Sequence, residues 1–385
     1  MTQDHNAALR AAWGAFCDGL KQAGELAFSE TAPDTPLDRA AGLEYVARYI
    51  GKALNQKHEF NDPLYPQLWP LMTPTSKSFG DNPDCTYLVG VVSGDHTYRI
   101  VGNRGSVAWV SFIAGPSYLN NADLETEWDG AFSITLSQAP QPGNWLRLAP
   151  GDNRVFIRQF FGHWDTEEPM RLEIQRIGQQ EPPPPVTPDR LIGDLQQALD
   201  WLVEDSAYWV KWIEYYRDFP NQWVAGVPRW RDDGGHATEL GRALHFCQWN
   251  VQPDEALILS VRPPECAYWN FELGNYWMNS VDYRYRLSSL NDRQASVERD
   301  GMVYVVVSHA DPGIPNWLDA GGHTVGLVNQ RWVEARTEIP ELKAELVKLE
   351  DLARALPADV RRMTPDGRRD QLRRRKIGVE RRFAV

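Results

Sequence analysis

The rhythm of hydrophobic positions changes several times along the chain. From Asn6 to about Ala27, Leu9, Trp13, Phe16 and Leu20 recur at three- and four-residue intervals, which predicts an amphipathic helix. A second helix is predicted after Thr35–Pro36, with Leu37, Leu43, Val46, Ile50 and Leu54 on one side. Between Tyr87 and Ile177 the pattern shortens to apolar and alternating runs broken by Gly, Pro, Asn and Asp. These runs are Tyr87–Val92, Tyr98–Val101, Val107–Ile113, Phe132–Leu136, Val155–Phe161 and Met170–Ile177. Strands at this spacing predict an antiparallel sandwich or jelly roll. Gly178–Asp189, with Pro182–Pro185 in succession, can neither continue a sheet nor start a helix and reads as a stiff linker. Thr187–Pro188–Asp189 then starts a long helix with Leu191, Leu195, Leu199, Leu202, Trp209 and Ile213 in one stripe, ending before Pro220. Its Trp and Tyr residues read as core. Strand-like runs return from about Ala256 to Trp332, and a helix carrying Leu342, Leu346, Leu349, Leu352 and Leu356 is predicted after Pro340.

The fold expected is therefore mainly β with added α-helices: two jelly-roll-like antiparallel β-sandwich repeats plus N-terminal, central and C-terminal helices. The boundaries expected are an N-terminal helical segment at 1–60, a first sandwich at 80–177, a linker at 178–189 and a long helix at 190–219. A connecting segment at 220–255, a second sandwich at 256–335, and C-terminal helices with a basic tail at 340–385 complete the chain. At 385 residues the chain exceeds what one core usually spans, which also favours two domains.

The two strand-rich stretches resemble each other. The first contains Cys85-x-Tyr87, Asp129–Gly130, Asn144–Trp145–Leu146 and Arg158; the second contains Cys266-x-Tyr268, Asp300–Gly301, Asn316–Trp317–Leu318 and Arg331, in the same order. Such ordered identity, including a tryptophan, indicates an internal repeat. Asp-Gly suits a tight turn between strands, and an Asn before Trp can bond loop backbone, so most shared features serve the scaffold. Arg158 and Arg331 differ, because each interrupts an apolar strand run, and an inward arginine needs a carboxylate or an anionic ligand. A structural ion pair is the simpler of those two readings.

At these residues the chain resembles the bacterial domain of unknown function 1214 family. The resemblance rests on the Asp81–Asn82–Pro83–Asp84 lead-in, Tyr98–Arg99–Ile100 followed by Gly102, the Asp-Gly strand, Asn144–Trp145–Leu146 and the Arg158-Gln-Phe-Phe strand. It covers roughly residues 80–177 and 256–335. It implies two copies of a jelly-roll-like domain in a bacterial protein, often encoded among genes for degrading hydrophobic or aromatic compounds. It implies no agreed reaction and carries over no catalytic residues.

Charge narrows the partners. The net charge is −12, but residues 361–385 hold ten Arg/Lys against three Asp/Glu, so the body is strongly acidic. An acidic body argues against nucleic acid as partner. The tail suits the acidic surface of its own chain or a neighbouring subunit, hence a possible homo-oligomer. Cys17, Cys85, Cys247 and Cys266 form no CxxC pair, and the first thirty residues contain no apolar signal core. Free thiols in the cytoplasm are expected, with no membrane partner. Sixteen tryptophans serve cores and ligand pockets alike.

Candidate chemistry centres on Asp81–Asn82–Pro83–Asp84, where Asp81 and Asp84 could face one cavity and one could act as a general base. The plainer reading is an Asx turn that starts a strand. A second cluster runs from Tyr268–Trp269–Asn270–Phe271 to Asn275–Tyr276–Trp277–Met278–Asn279. In a strand, Trp269, Phe271 and Leu273 face one way while Tyr268 and Asn270 face the other. Interleaved aromatics and amides suit a flat hydrophobic ligand, or a hydrogen-bonded core. His323 and His236, each after a Gly-Gly pair, are loop residues that could supply a base. The catalytic set expected is Asp81, Asp84, Arg158 and His323; the ligand-binding set is Asn82, Tyr87, Trp269, Asn270, Tyr276, Trp277 and Arg331.

No HxxxH or HExxH pattern, Walker A, GxGxxG or GxSxG motif occurs, so no metal and no cofactor is expected. Two domains joined by a stiff linker commonly enclose a cleft. The function expected is therefore a hydrolase, lyase or isomerase without a redox cofactor, acting on a hydrophobic small molecule such as a steroid, terpenoid or aromatic compound. The alternatives are a non-catalytic small-molecule or carbohydrate-binding protein and a structural subunit of an oligomer.

Overall fold

The structure is a computed structural model and describes residues 2–228 and 243–383. His236 and part of the expected connecting segment lie outside the described residues. Helices α1 (Thr2–Gly24) and α2 (Pro36–Leu54) open the chain. The Thr35 side chain accepts the Asp38 amide at 3.0 Å and Pro36 occupies the first turn, so α2 begins where its capping chemistry directs. Thr187 and Pro188 repeat the device for α3 (Pro188–Tyr215).

Nine strands lie between α2 and α3: β1 (Trp69–Met72), β2 (Cys85–Val91), β3 (Tyr98–Asn103), β4 (Trp109–Ala114), β5 (Ser117–Asn120), β6 (Ala131–Ser137), β7 (Trp145–Arg147), β8 (Arg154–Phe160) and β9 (Arg171–Arg176). Among the described residues nine more follow α3: β10 (Trp223–Ala225), β11 (Ala243–Asn250), β12 (Glu255–Val261), β13 (Tyr268–Asn275), β14 (Ser289–Asn291), β15 (Val303–Ser308), β16 (Trp317–Asp319), β17 (Val325–Val333) and β18 (Lys343–Lys348). The short α4 (Leu352–Ala355) and the long α5 (Pro365–Phe383) close the chain. The protein is thus β-rich with added helices, and no described helix is long and apolar enough to cross a membrane.

Each half packs a five-stranded sheet on a four-stranded one. In the first half the orders are β1-β2-β8-β4-β5 and β7-β6-β3-β9; in the second they are β10-β11-β17-β13-β14 and β16-β15-β12-β18. Alternation along the strands fills each interior, with Ile100, Phe112, Ile134 and Ile157 in one and Leu257, Phe271, Val305 and Trp332 in the other. Each such aliphatic or phenyl side chain contributes roughly 1.5–3 kcal/mol on burial.

The motifs shared by the two halves make matching contacts. The Asn144 amide donates to Glu125 O and Ser133 O at 2.8 and 3.1 Å, and the Asn316 amide donates to Ser296 O and Tyr304 O at the same two distances. Gly130 and Gly301 both take positive φ, 84° and 81°, in the turns that lead into β6 and β15. Arg158 and Arg331 occupy the central strands β8 and β17. The Cys-x-Tyr match does not hold in space: Tyr87 lies on β2, whereas Tyr268 lies on β13, whose counterpart by strand order is β4.

Several expected boundaries move. Strands β10 and β11 fall inside the expected connecting segment at 220–255, and β1 precedes the expected start at residue 80. The helix expected after Pro340 is mostly absent. Lys343–Lys348 instead pairs along β12 from Ser260 to Glu255. An open sheet edge gains a ladder of hydrogen bonds there, which outweighs the helix propensity of Lys, Glu, Ala and Leu. The basic tail forms α5, and its arginines at seven-residue intervals are buried against the same chain. Arg368 grips Asp311 at 2.9 and 3.0 Å, Arg375 donates to Tyr283 O and Ser289 O, and Arg382 donates to Pro83 O.

Candidate functional site: an arginine-bearing aromatic cleft between the sheets

The outer faces of the two five-stranded sheets meet at a shared interface, where Phe160 and Tyr268 pack edge to face, 4.9 Å apart. Beside this contact the sheets separate into a cleft of about 450 Å³, closed on one flank by α3. Strands β2 and β8 contribute Tyr87, Phe156, Arg158 and Phe160; β11 and β17 contribute Phe246, Asn329, Arg331 and Val333. Helix α3 adds Trp209 and Trp212, and Phe79 stacks on Trp209 at 4.8 Å.

Strain concentrates here. Phe79 and Met278, both lining the cleft, hold positive φ of 38° and 51°, conformations that non-glycine residues adopt only when the surroundings fix them. The adjacent Gly80 has φ 67°, and a Cβ there would lie 2.7 Å from the Asn329 amide. Glycine is required because the lead-in backbone runs directly over the second sheet. The Gly80 amide donates to Met278 O at 2.7 Å, joining the two strained residues.

Among the described residues, two cations line the cleft, Arg158 and Arg331. The Arg158 guanidinium packs on the Phe156 ring, 4.6 Å from its centroid. Arg331 donates to Gly80 O at 2.7 Å and pairs with Glu272 at 2.8 Å. Glu272 is fully buried behind Arg331 and Asn329, and Asn329 donates to its Oε2 at 3.0 Å. Burial pushes the Glu272 carboxyl up to about 7, against the pull of Arg331 and with the help of the Asp81 charge. Glu272 Oε1 and Asn329 Oδ1 have no hydrogen-bond partner among the described residues.

Of the expected site residues, Arg158, Arg331 and Tyr87 line the cleft. Asp84 does not. Its carboxylate accepts Trp164 Nε1 and Tyr268 OH at 2.7 Å each, Asn291 Nδ2 at 2.8 Å and Asn270 Nδ2 at 3.3 Å. Asn82 and Asn270 belong to the same network: the Asn270 amide donates to Asn82 Oδ1 at 2.9 Å, and Asn82 Oδ1 also closes an Asx turn on the Asp84 amide. These residues join the two halves as structure. Asp81 faces elsewhere, accepting Ser280 N and Ser280 Oγ at 3.0 and 2.8 Å, so the two aspartates share no cavity. Buried Lys77 and Lys52 flank Asp81; desolvation lowers their amines to about 8 and about 7.

Trp269 faces the inner core of the second sandwich, and Tyr276 and Trp277 pack with α2 and α3, where the Trp277 indole donates to Asp38 O at 2.9 Å. His323 lies 2.7 Å from Asp38 Oδ1 in a separate charged recess. The Trp269, Tyr276, Trp277 and His323 assignments are therefore corrected to core and capping roles. Sequence reasoning missed Glu272, Asn329, Trp209 and Phe79. Glu272 carried a signal, since it shares a strand face with Tyr268 and Asn270; Trp209 was indistinguishable from core on its helix.

By fold, this is a β-rich protein with added helices whose two sheet pairs enclose an aromatic cleft. The solved structure of an uncharacterized protein from Burkholderia cenocepacia is 35% identical to this chain, covering 90% of this chain and 99% of its own, with a TM-score of 0.83. The chain belongs to the same family as that protein. The VPA0106 protein from Vibrio parahaemolyticus is 12% identical over 78% of this chain and 98% of its own, with a TM-score of 0.44. No protein-family model and no curated protein matches the chain.

Proposed function

We propose that the cleft binds a hydrophobic small molecule that bears an anionic group, such as an aromatic, terpenoid or steroid acid. The observation that carries this reading is the convergence of Arg158 and Arg331, one from the central strand of each half, on a cavity walled by aromatic rings. A pocket that is apolar overall with a few convergent polar groups is the usual form of a small-molecule site, and guanidinium suits carboxylate recognition. A lectin-like role fits less well, because Trp209 is already stacked on Phe79 and Trp212 packs edge to face with Phe246. Strain at Phe79 and Met278 favours a second reading, in which the bound molecule is turned over without a redox cofactor.

The matching strand orders and asparagine contacts support reading the halves as two copies of one jelly-roll-like domain, and with it the resemblance to the domain of unknown function 1214 family. Mass spectrometry of small molecules retained by the purified protein, with a thermal-shift screen of acids against their neutral analogues, tests the binding reading. Acids that stabilise the wild type should lose at least tenfold in affinity in Arg158→Gln, about 1.4 kcal/mol. Equal binding of acids and neutral analogues by both proteins would defeat it.

A further inference from the structure

We infer that Glu272 is a proton-exchanging positioning residue: when an anionic ligand engages Arg331, Glu272 takes up a proton and releases the guanidinium to the ligand. The inference rests on the cleft being the binding site. Arg331 lines the cleft and forms an ion pair with Glu272, and Asn329, also on the cleft wall, holds Glu272 by a hydrogen bond. A ligand carboxylate at Arg331 would place two carboxylates on one guanidinium in a site away from water. Like charges so placed cannot both remain ionised, and the buried one is the costlier to keep charged. Glu272 Oε1 is free of hydrogen bonds among the described residues, so a proton from solvent can settle there without breaking an existing contact.

The groups around Glu272 set its direction of response. Arg331 and Asn329 reach it from β17, and Asp81 acts on it from the loop before β2. Lys77 and Lys52 stand behind Asp81, Tyr87 and Tyr268 flank Arg331, and Arg158 lines the same cleft. Burial already holds the Glu272 carboxyl near 7, so drawing Arg331 away raises it further. The free protein at pH 8 then has Glu272 ionised and the complex has it protonated, while at pH 6 both have it protonated.

The test is calorimetric titration of 2-naphthoate and cholate, with their neutral alcohol analogues, in two buffers of different ionisation enthalpy at pH 6, 7 and 8. Uptake approaching about one proton per bound acid is expected at pH 8 and close to none at pH 6, with Kd rising up to about tenfold from pH 7 to pH 8. Glu272→Gln should bind the acids with a Kd that is flat over this range and with no uptake. If that variant does not fold, infrared difference spectra of the wild type at pH 8 should show a protonated carboxyl band appearing with ligand. Acid binding without uptake in the wild type, or uptake that persists in Glu272→Gln, overturns the inference. Failure of every acid to bind overturns the binding reading instead.

Discussion

Replacing Asp84 with alanine tests whether this carboxylate is a structural hub. Four side-chain donors converge on it, from Trp164 in the first half and from Tyr268, Asn270 and Asn291 in the second. Two of them keep other acceptors: Asn291 Nδ2 also reaches Phe161 O at 3.0 Å, and Asn270 Nδ2 also reaches Asn82 Oδ1 at 2.9 Å. The variant therefore strands two buried donors, the Trp164 indole and the Tyr268 hydroxyl. An unsatisfied buried donor costs about 1–3 kcal/mol, and removing a buried charge returns part of that. The expected net loss is about 2–5 kcal/mol, which for a chain of 385 residues is a fall in Tm of about 2–6 °C when unfolding is followed by tryptophan fluorescence. Asp84→Asn, which keeps one acceptor oxygen, should lose less. A Tm within about 1 °C of wild type for the alanine variant would refute the reasoning. So would an unchanged Tm with ligand turnover abolished, which would return Asp84 to the chemistry.

Other outcomes follow from the same structure. Lys52 has its amine lowered to about 7 by burial, so between pH 7 and its ordinary 10.5 the unfolded chain binds a proton that the native chain does not. Stability should therefore rise with pH across that window, by up to about 1.4 kcal/mol per unit, and Lys52→Met should flatten the rise in denaturation measured at pH 7 and pH 9. Gly378→Ala would place a Cβ 2.6 Å from Trp164 Cβ. Although alanine is the better helix former, it should destabilise the docked α5 by about 1–3 kcal/mol and speed proteolysis near Arg381; a stabilised variant would contradict the packing described.

Local chemistry in the sequence determined a good deal. The Thr-Pro caps of α2 and α3, the alternating strands, the proline-rich linker and the Asp-Gly turns are all written in short windows, because capping, pleat and φ preference act over a few residues. The same windows separated the two faces of β13, with Trp269 and Phe271 opposite Tyr268 and Asn270. They also marked Arg158 and Arg331 as polar intrusions that needed partners. What they could not decide was which outer faces would meet. Asp84 became a hub instead of a base because Tyr268, Asn291 and Trp164 arrive from sequence positions far away. Glu272 acquired its raised carboxyl from burial beneath Arg331, and Trp209 changed from apparent core to cleft wall once α3 was laid beside the sheets. Lys343–Lys348 turned from helix to strand only because β12 offered an open edge. Hydrogen-bond satisfaction and desolvation depend on every neighbour in space, so the role of a polar residue was settled by the tertiary structure, while the shape of its own segment was settled locally.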